Sequence, residues 1–410
     1  MGDIPPNEVG RRLREIRSWR GLSLEAAAGL AGLSFGYLGR LERGEQALTN
    51  RRTLEAIAHA LRVAPSEFTG RPWEMTNGPS PEAHATLVAF EDALEVCELG
   101  EDPGVPVRSW PEIEADLKQL QDRTQAADYA AQGALTPRLL GELHAAYLTY
   151  PQLRDEVLLA LIVCYQSTAW TTKSLAGRGL PLLAVKAARQ CAEELDSPLW
   201  LGFAVWLRGH SVGQVSRTQQ YQRSVEMADR LTGHLDDQNV IQCYGMLHLN
   251  AALAAAVQSD RATAETHLGE AAAIADRMTG DVGGFGGVWF GRINVALWRA
   301  SIGLELGDGV QAVERAADVP VDAIPSPVRR ASFYTEAGRA LLMEPRYSDR
   351  GISLLLQAEH LTPQRVRSDF FVREAIADRL RSARRDAGGR ELRGLAWRLG
   401  IAPELGPRTN

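Results

Sequence analysis

The 410-residue chain has few cysteines and no long apolar run. Its four cysteines are scattered, with no CxxC pair and no histidine at ligand spacing, so we expect neither a disulfide framework nor a structural zinc site. The longest strongly apolar run, residues 157–165, has nine residues and falls well short of the ~20 that span a bilayer. No basic stretch followed by an apolar core opens the chain, as a secretory signal requires. These absences predict a soluble cytoplasmic protein with no membrane contact and no metal.

Motifs of the common enzyme classes are missing as well. The eight histidines are dispersed, and none belongs to an HExxH motif. The glycine-rich stretch 283–287 follows no predicted strand and precedes no Gly-Lys-Ser/Thr, so it fits neither a P-loop nor a dinucleotide-binding fingerprint. We interpret it as a loop between helices, and we expect no catalytic residue, no cofactor and no enzymatic activity.

Charge and turn-forming residues divide the chain near residue 70. The whole chain carries a net charge of -6, yet residues 7–62 contain ten arginines and no lysine against six glutamates. The stretch that follows Phe68 is dense in glycine and proline, which interrupt helices and mark a linker. The sequence thus predicts a small, locally basic domain at 7–69, a linker at 70–81 and a larger acidic domain at 82–401.

The sequence of the small domain predicts five short helices. Apolar residues recur at helical spacing, and a glycine follows each of the first three helical stretches. Ser23 and Ser34 stand where a side-chain oxygen caps the second and third helices. Two short helices joined by a turn that contains glycine form a helix-turn-helix. We expect the second, third and fourth helices over 24–31, 35–43 and 51–62.

The residues of this domain resemble those of a known family. A basic first helix, a glycine turn, a short second helix and a third helix ending in Glu-Arg-Gly all stand in register. This pattern resembles the Cro/C1-type (XRE) helix-turn-helix domain over about residues 7–69. The matching stretches are Gly10 to Arg17, Gly21-Leu22-Ser23, Ala27-Ala28, Ala31 to Ser34 and Tyr37 to Gly44.

The resemblance implies a DNA-binding surface, because the third helix of that family enters the major groove and contacts base edges. Phe35, Gly36 and Arg40 then face the bases, and the guanidinium of Arg40 is able to donate two hydrogen bonds to a guanine. The other members of the expected DNA-binding set contact phosphates or open the third helix. They are Ser23, Ser34, Tyr37, Arg43, Asn50 and Arg51.

Three further positions bear on the resemblance. Arg17 and Glu42 match residues that form an ion pair between the first and third helices, so their expected role is structural. Leu24 stands where the family usually has a glutamine that contacts phosphate, so one DNA contact is missing here. The alternative is a helical hairpin with no DNA role, whose arginines form a solvated surface, as we expect for Arg11 and Arg62.

The sequence of the large domain predicts an array of paired helices. Helical apolar stripes recur from 82 to 399, for example over 111–132 and 137–149, and no segment alternates with period two. The expected fold is therefore all-α, with the five-helix helix-turn-helix domain followed by a tetratricopeptide-like solenoid. An alanine followed by an acidic residue recurs at Ala192, Ala228, Ala275, Ala317 and Ala358, with spacings of 36, 47, 42 and 41 residues.

Parts of the large domain are similar to the C-terminal half of actinobacterial regulators that carry such a DNA-binding domain. The similarity rests on residues 290–298 with 305–308, and on 372–374 with 391–401. It implies a helical-repeat regulatory domain. By analogy with peptide-sensing regulators of the same plan, the effector is a peptide or a small molecule.

A concave repeat surface is able to hold such an effector. Aromatic side chains would supply flat walls, and asparagine amides would bind a peptide backbone. The alternatives are ordinary helix–helix core for the aromatic residues and buried structural hydrogen bonds for the asparagines. The candidate effector-binding residues are Tyr165, Gln166, Trp170, Trp206, Arg208, Asn250, Arg292 and Asn294.

These observations predict a sequence-specific transcription regulator that acts at the nucleoid. A homodimer would place two helix-turn-helix domains on a pseudo-palindromic operator in double-stranded DNA, and an effector would change their arrangement. The alternative is a protein-interaction adaptor, in which the repeats bind a partner protein and the helix-turn-helix localises it to DNA. The operator sequence and the sign of regulation stay open.

Overall fold

Helices make up the regular structure of this chain. Within the described residues every regular element is helical, as expected, and none is a strand. The predicted linker lies outside the described residues, apart from Pro81. The computed structural model describes residues 8–69, 81–175, 177, 179–212, 216–382 and 390–401.

Side-chain caps define three helix starts in the small domain, as expected from its serines. The side-chain oxygens of Ser23, Ser34 and Asn50 each accept a backbone N–H three residues later, at 3.0, 3.2 and 2.7 Å. The helices end within two residues of the predicted positions. They are α1 (Glu8–Trp19), α2 (Leu24–Leu30), α3 (Phe35–Glu42), α4 (Arg51–Ala60) and α5 (Ser66–Thr69).

Close contact between α1 and α3 holds the small domain together. A Cβ atom on Gly10 would lie 2.3 Å from the carbonyl oxygen of Leu41, so only glycine allows this crossing. Leu13, Leu38 and Leu41 form the core and are at most 4% exposed. Gly32 makes the turn between α2 and α3 with φ +64°, a conformation that favours glycine. Gly32 in the turn and Gly10 at the contact between α1 and α3 thus set the orientation of α3 within the small domain.

The large domain continues with sixteen helices among the described residues. Consecutive helices pack against each other, most closely α9 with α10, α13 with α14 and α17 with α18. The helices are α6 (Pro81–Val96), α7 (Trp110–Gln125), α8 (Tyr129–Thr149), α9 (Arg154–Ser174), α10 (Leu180–Glu194), α11 (Pro198–Val212), α12 (Arg217–Leu231), α13 (Gln238–Val257), α14 (Arg261–Ala275), α15 (Arg292–Glu305), α16 (Val310–Arg315), α17 (Pro327–Leu342), α18 (Ser348–Leu361), α19 (Pro363–Ser368), α20 (Phe370–Ser382) and α21 (Arg390–Arg398).

The recurring alanines lie at helix contacts, and one of them is shifted. Ala192, Ala228, Ala275 and Ala358, on α10, α12, α14 and α18, are at most 1% exposed. At the fourth repeat α16 ends at Arg315, and the buried residue is Ala316, which is 4% exposed, while Ala317 faces solvent. The predicted register is therefore wrong there by one residue, because packing selects the inward side chain and not the alanine–acid pair.

The boundary predicted near residue 137 is also wrong. The sequence indicated helices over 111–132 and 137–149, but α7 ends at Gln125 and α8 runs through Pro137 as an interior residue. Proline lacks the N–H that would bond the carbonyl four residues earlier, at Gly133. Gly133 packs against Thr86 of α6, where an added Cβ would lie 2.4 Å from the threonine hydroxyl. Tertiary packing of α8 on α6 thus keeps the helix continuous.

The first and last parts of the large domain contact each other. The side-chain amide of Gln125 at the end of α7 accepts from the indole N–H of Trp289 at 3.2 Å, and it also bonds Ser326 at the start of α17. Gln364 of α19 accepts from the backbone N–H of Tyr129 at 2.8 Å. Nearby, α9 packs on α11 and α15 packs on α17, and the charge of Arg329 on α17 acts on His210 of α11. We call the surface that these four helices share the inner face.

One helix, α13, is long and apolar enough to span a membrane by length and composition. Its most apolar window is 89% buried among the other helices, and it packs on α11, α12, α14 and α15. Such burial is what a central core helix requires.

Candidate nucleic-acid interface and inner face of the repeats

The predicted recognition helix presents a free face. Phe35 is 60% exposed, although a large apolar side chain is ordinarily buried, and Gly36 and Arg40 on the same face are exposed too. Among the described residues, the guanidinium of Arg40 has no hydrogen-bond partner. A Cβ atom on Gly36 would meet only that guanidinium, at 3.6 Å. The three residues predicted to face bases thus form one accessible surface.

An ion pair fixes α3 to α1, as the resemblance implied. Arg17 Nε lies 2.6 Å from Glu42 Oε1, and Nη2 lies 2.9 Å from Oε2, with side chains only 14% and 6% exposed. A third hydrogen bond joins Arg17 Nη1 to the carbonyl of Leu22 at 2.8 Å. The hydrogen bond to Glu42 raises the pKa of Arg17, so the guanidinium stays charged. This prediction is confirmed, and the pair sets the position of α3.

Four other residues of the predicted DNA-binding set, around α3, remain accessible. The Ser23 and Ser34 hydroxyls accept backbone N–H groups as caps, which leaves each O–H free to donate. Tyr37 is half-buried, and burial raises the pKa of its phenol, so it stays protonated and able to donate. Arg43 is exposed and pairs with Glu45 at 2.8 Å. These four donors border the face that carries Phe35.

The other two predicted phosphate contacts are at the start of α4, and one of them, Arg51, lies against the large domain. Asn50 uses its side-chain oxygen to cap α4. The Arg51 guanidinium donates to Glu305 of α15 at 2.9 Å and to Glu336 of α17 at 3.0 Å. Its side chain is 29% exposed, and those of the glutamates are 9% and 17% exposed. Carboxylates thus occupy the bonding positions that phosphate oxygens would take.

Further contacts surround Arg51. Glu55 of α4 accepts from Arg217 Nε of α12 at 3.0 Å, and the Arg339 guanidinium of α17 donates to the carbonyl of Thr49. Phe370 and Phe371 of α20 pack on the apolar core of the small domain. We call this contact, from Thr49 to Glu55 on one side and α12, α15, α17 and α20 on the other, the docking interface. It holds α4 and leaves α3 accessible.

Three predicted effector-binding residues lie together on the inner face. Trp170 of α9 meets Trp206 of α11 edge to face, with ring centroids 6.2 Å apart. One turn earlier on α9, Gln166 donates to the carbonyl of Gly286 at 2.8 Å. Gly286 belongs to the glycine-rich stretch, which forms a short 3-10 turn over Phe285–Gly287 and packs on the same two helices.

The remaining predicted effector residues have other surroundings. Tyr165 is 1% exposed and bonds His144 at 2.8 Å within the core. Asn250 donates to the Trp206 carbonyl at 3.0 Å, and Asn294 donates to the Val288 carbonyl at 3.1 Å, so both asparagines make the buried structural hydrogen bonds of the alternative. Asn294 also accepts from Nε of Arg329 on α17 at 2.7 Å. Arg292 is exposed and pairs with two aspartates, and Arg208 of α11 lies near Arg189 of α10 and Arg223 of α12.

The structure adds residues that the sequence analysis missed. Lys173 follows Trp170 by three residues, and His210 follows Trp206 by four, so both pairs share a helix face. The Lys173 ammonium donates to the carbonyl of His210. Arg329 stands over the ring of Trp298, 5.6 Å from its centroid. Their helical spacing from the two tryptophans is the signal in the sequence from which Lys173 and His210 could have been found.

Titratable groups on this inner face are strongly perturbed. Burial lowers the pKa of Lys173 to about 7, and the charges of Arg51, Arg365 and Arg217 lower it further, whereas Glu336 opposes them. Burial and the charge of Lys173 lower the pKa of His210 well below its usual value, so His210 is neutral. Within the described residues, no three His, Cys, Asp or Glu side chains lie close enough to hold a metal ion.

Comparison with known proteins gives one match. A family model described as a helix-turn-helix domain matches residues 8–69, which is the small domain and 62 of the 410 residues. No curated protein and no solved structure matches the chain. The helix-turn-helix domain indicates a DNA-binding regulator, and the large domain is described by its own structure.

Proposed function

We propose that the protein is an XRE-type, sequence-specific transcription regulator whose α3 reads bases in the major groove. The accessible face formed by Phe35, Gly36 and Arg40 supports this proposal. That face is held by two capped helix starts and by the Arg17–Glu42 pair, so it is rigid before DNA arrives. A pre-formed arrangement lowers the entropy cost of binding.

The proposal includes a homodimer on a pseudo-palindromic operator, because one short helix reads too few bases for specificity in a genome. The large domain would be a tetratricopeptide-like regulatory domain that binds an effector. Binding of the effector would change the arrangement of the two helix-turn-helix domains. The protein would act in the cytoplasm and would catalyse no reaction.

The docking interface supports control by the large domain. Arg51 is predicted to bind phosphate, and here Glu305 and Glu336 bind it instead. An effector that favours a state with α4 released would raise DNA affinity only by its differential affinity for the two states.

Selection of bound sequences from a random duplex pool, followed by footprinting with the purified protein alone, tests this function. We expect a protected site with two-fold symmetry. Protection that requires a co-purifying protein would favour the adaptor alternative. Absence of any preferred sequence would refute the regulator.

A further inference from the structure

The inner face of the large domain carries a group of aromatic and cationic side chains. They come from four helices: α9, α11, α15 and α17. Contacts form two groups: the Trp170 and Trp206 rings meet and Trp206 stacks on His210 at 5.4 Å, while Arg329 stands over Trp298. The two groups lie within electrostatic range of each other, since the charge of Arg329 lowers the pKa of His210. We call this group the inner-face cluster: Trp170, Lys173, Trp206, His210, Trp298 and Arg329.

Several buried donors in the inner-face cluster have no partner. The indole N–H groups of Trp170, Trp206 and Trp298 and the Nη2 of Arg329 lack any hydrogen bond within the described part of the chain. Trp206 is 4% exposed, so bulk solvent does not reach its indole. A buried unpaired donor costs about 1–3 kcal/mol, so native proteins rarely retain several in one place. A missing acceptor explains all four.

The charge of the surroundings indicates which acceptor is missing. Lys173 lies within coulombic range of Arg51, Arg217 and Arg365, and Glu336 is the anion that opposes them. The charge of Arg329 likewise lowers the pKa of His210. Glu336 is already engaged by Arg51 and by the hydroxyl of Ser301. Glu305 also engages Arg51, and Glu55 engages Arg217. Within the described residues, Lys173, Arg329 and Arg365 are therefore the cations of this group that no carboxylate bonds.

The flat walls of the cluster add a requirement on shape. The indoles of Trp170 and Trp206 form a continuous set of ring contacts with Phe203 and Phe285, with Phe203 5.5 Å from Trp206 and 5.8 Å from Phe285. Aromatic walls of this kind bury flat apolar groups and orient them through a few polar contacts.

We propose that the inner-face cluster binds a carboxylate attached to a flat apolar group. The carboxylate accepts from Lys173, Arg329 and the indole N–H groups, and the apolar group lies against the tryptophan rings. A small aromatic acid and a peptide with an aromatic C-terminal residue share this chemistry. That the ligand is also the effector rests on the proposed function, whereas its binding does not.

Calorimetric titration of the full-length protein tests the site. The probes are 2-naphthoate, its neutral isostere 2-naphthamide, and a pentapeptide ending in phenylalanine with a free or an amidated C-terminus. We expect each carboxylate to bind at least about tenfold more tightly than its amide, since charge-assisted hydrogen bonds are roughly twice as strong as neutral ones. Preference for the naphthoate or for the peptide identifies the source. Equal affinity for acid and amide, or no binding of either acid at millimolar concentration, overturns the proposal.

Matched variants locate the binding. Lys173→Met removes the ammonium, and Lys186→Met, on the exposed face of α10, is its control. Trp206→Phe removes one donor and keeps a ring, with the exposed Trp397→Phe as control. We expect about tenfold weaker binding for Lys173→Met, a smaller loss for Trp206→Phe, and no change for the controls. Unchanged binding in both cluster variants would overturn the assignment.

Operator footprinting without any probe separates this inference from the proposed function. If the probes fail to bind while the symmetric footprint is present, only the ligand site is refuted. If the carboxylates bind as expected and no preferred DNA sequence exists, the site stands and the regulator does not.

Discussion

Arg51, the first residue of α4, donates to Glu336 of α17, which lies 285 residues later in the chain, with Nη2 and Oε1 3.0 Å apart. Together with Glu305, this glutamate surrounds a guanidinium that the sequence assigned to a DNA phosphate. Two carboxylates and a phosphodiester offer the same kind of acceptor to an arginine. Under the proposed function, docking of α4 and binding of DNA would therefore compete for one side chain.

The first prediction concerns release of Arg51. We expect Glu336→Gln to raise affinity for DNA of any sequence by roughly tenfold, ~1.4 kcal/mol, because the guanidinium becomes available to phosphate. The salt dependence of binding should steepen. Glu265→Gln, at an exposed position on α14, is the control. Fluorescence anisotropy at several salt concentrations measures both quantities, and unchanged affinity would show that docking does not limit DNA binding.

Loss of Arg51 itself should have the opposite effect. We expect Arg51→Ala to lower affinity for all sequences and to reduce the salt slope by about one, since one phosphate contact is lost. In the Glu336→Gln background the loss should be larger than in the wild type. A loss confined to one operator base would instead place Arg51 among the base-reading residues.

Arg40 should determine base preference. We expect Arg40→Ala to relax selectivity at one operator position by about 1–3 kcal/mol and to leave the other positions unchanged. Arg11→Ala, on the exposed side of α1, is the control. Binding to a set of single-base operator variants measures the effect. Identical selectivity in the Arg40 variant would contradict major-groove reading by α3.

The Arg17–Glu42 pair should be important for stability of the small domain. Removing one partner with Glu42→Ala leaves a largely buried charge, and we expect a loss of about 3–5 kcal/mol in the free energy of unfolding. The double variant Arg17→Met/Glu42→Leu should recover much of it, because no unpaired charge remains. Urea unfolding measures the difference, and equal stability of both variants would contradict this account.

A histidine pair between α13 and α14 should give pH-dependent stability. His248 Nδ1 lies 2.9 Å from His267 Nδ1, and burial and the His267 charge lower the pKa of His248 to about 4, although Glu270 and Asp229 oppose this shift.

Because the pKa of His248 is lower in the folded than in the unfolded chain, the stabilising contribution is complete above about pH 6.5 and is lost as the pH falls towards 4. We expect the free energy of unfolding to fall by about 1–2 kcal/mol more between pH 7 and pH 5 in the wild type than in His248→Asn. The exposed His360→Asn should behave as the wild type. Parallel pH profiles for the wild type and His248→Asn would refute the prediction.

Local patterns were sufficient for the small domain. The caps at Ser23 and Ser34 and the glycine turn were predictable, because each depends on residues within or next to one helix. The Arg17–Glu42 pair joins two helices and was implied by the family resemblance. Nonlocal packing was less predictable in the large domain. The sequence did not reveal that α8 passes through Pro137, or that Ala316 replaces Ala317 as the buried residue.

The sequence by itself determined the all-helical architecture and the helix-turn-helix, since spacing, caps and turns act over a few residues. Only the tertiary structure decided which predicted residues meet. It separated Arg292 from Trp170, brought Lys173 and Arg329 into the inner-face cluster, and placed Glu305 and Glu336 on Arg51. Contacts between residues more than two hundred positions apart depend on how the helices stack, and no local pattern encodes them.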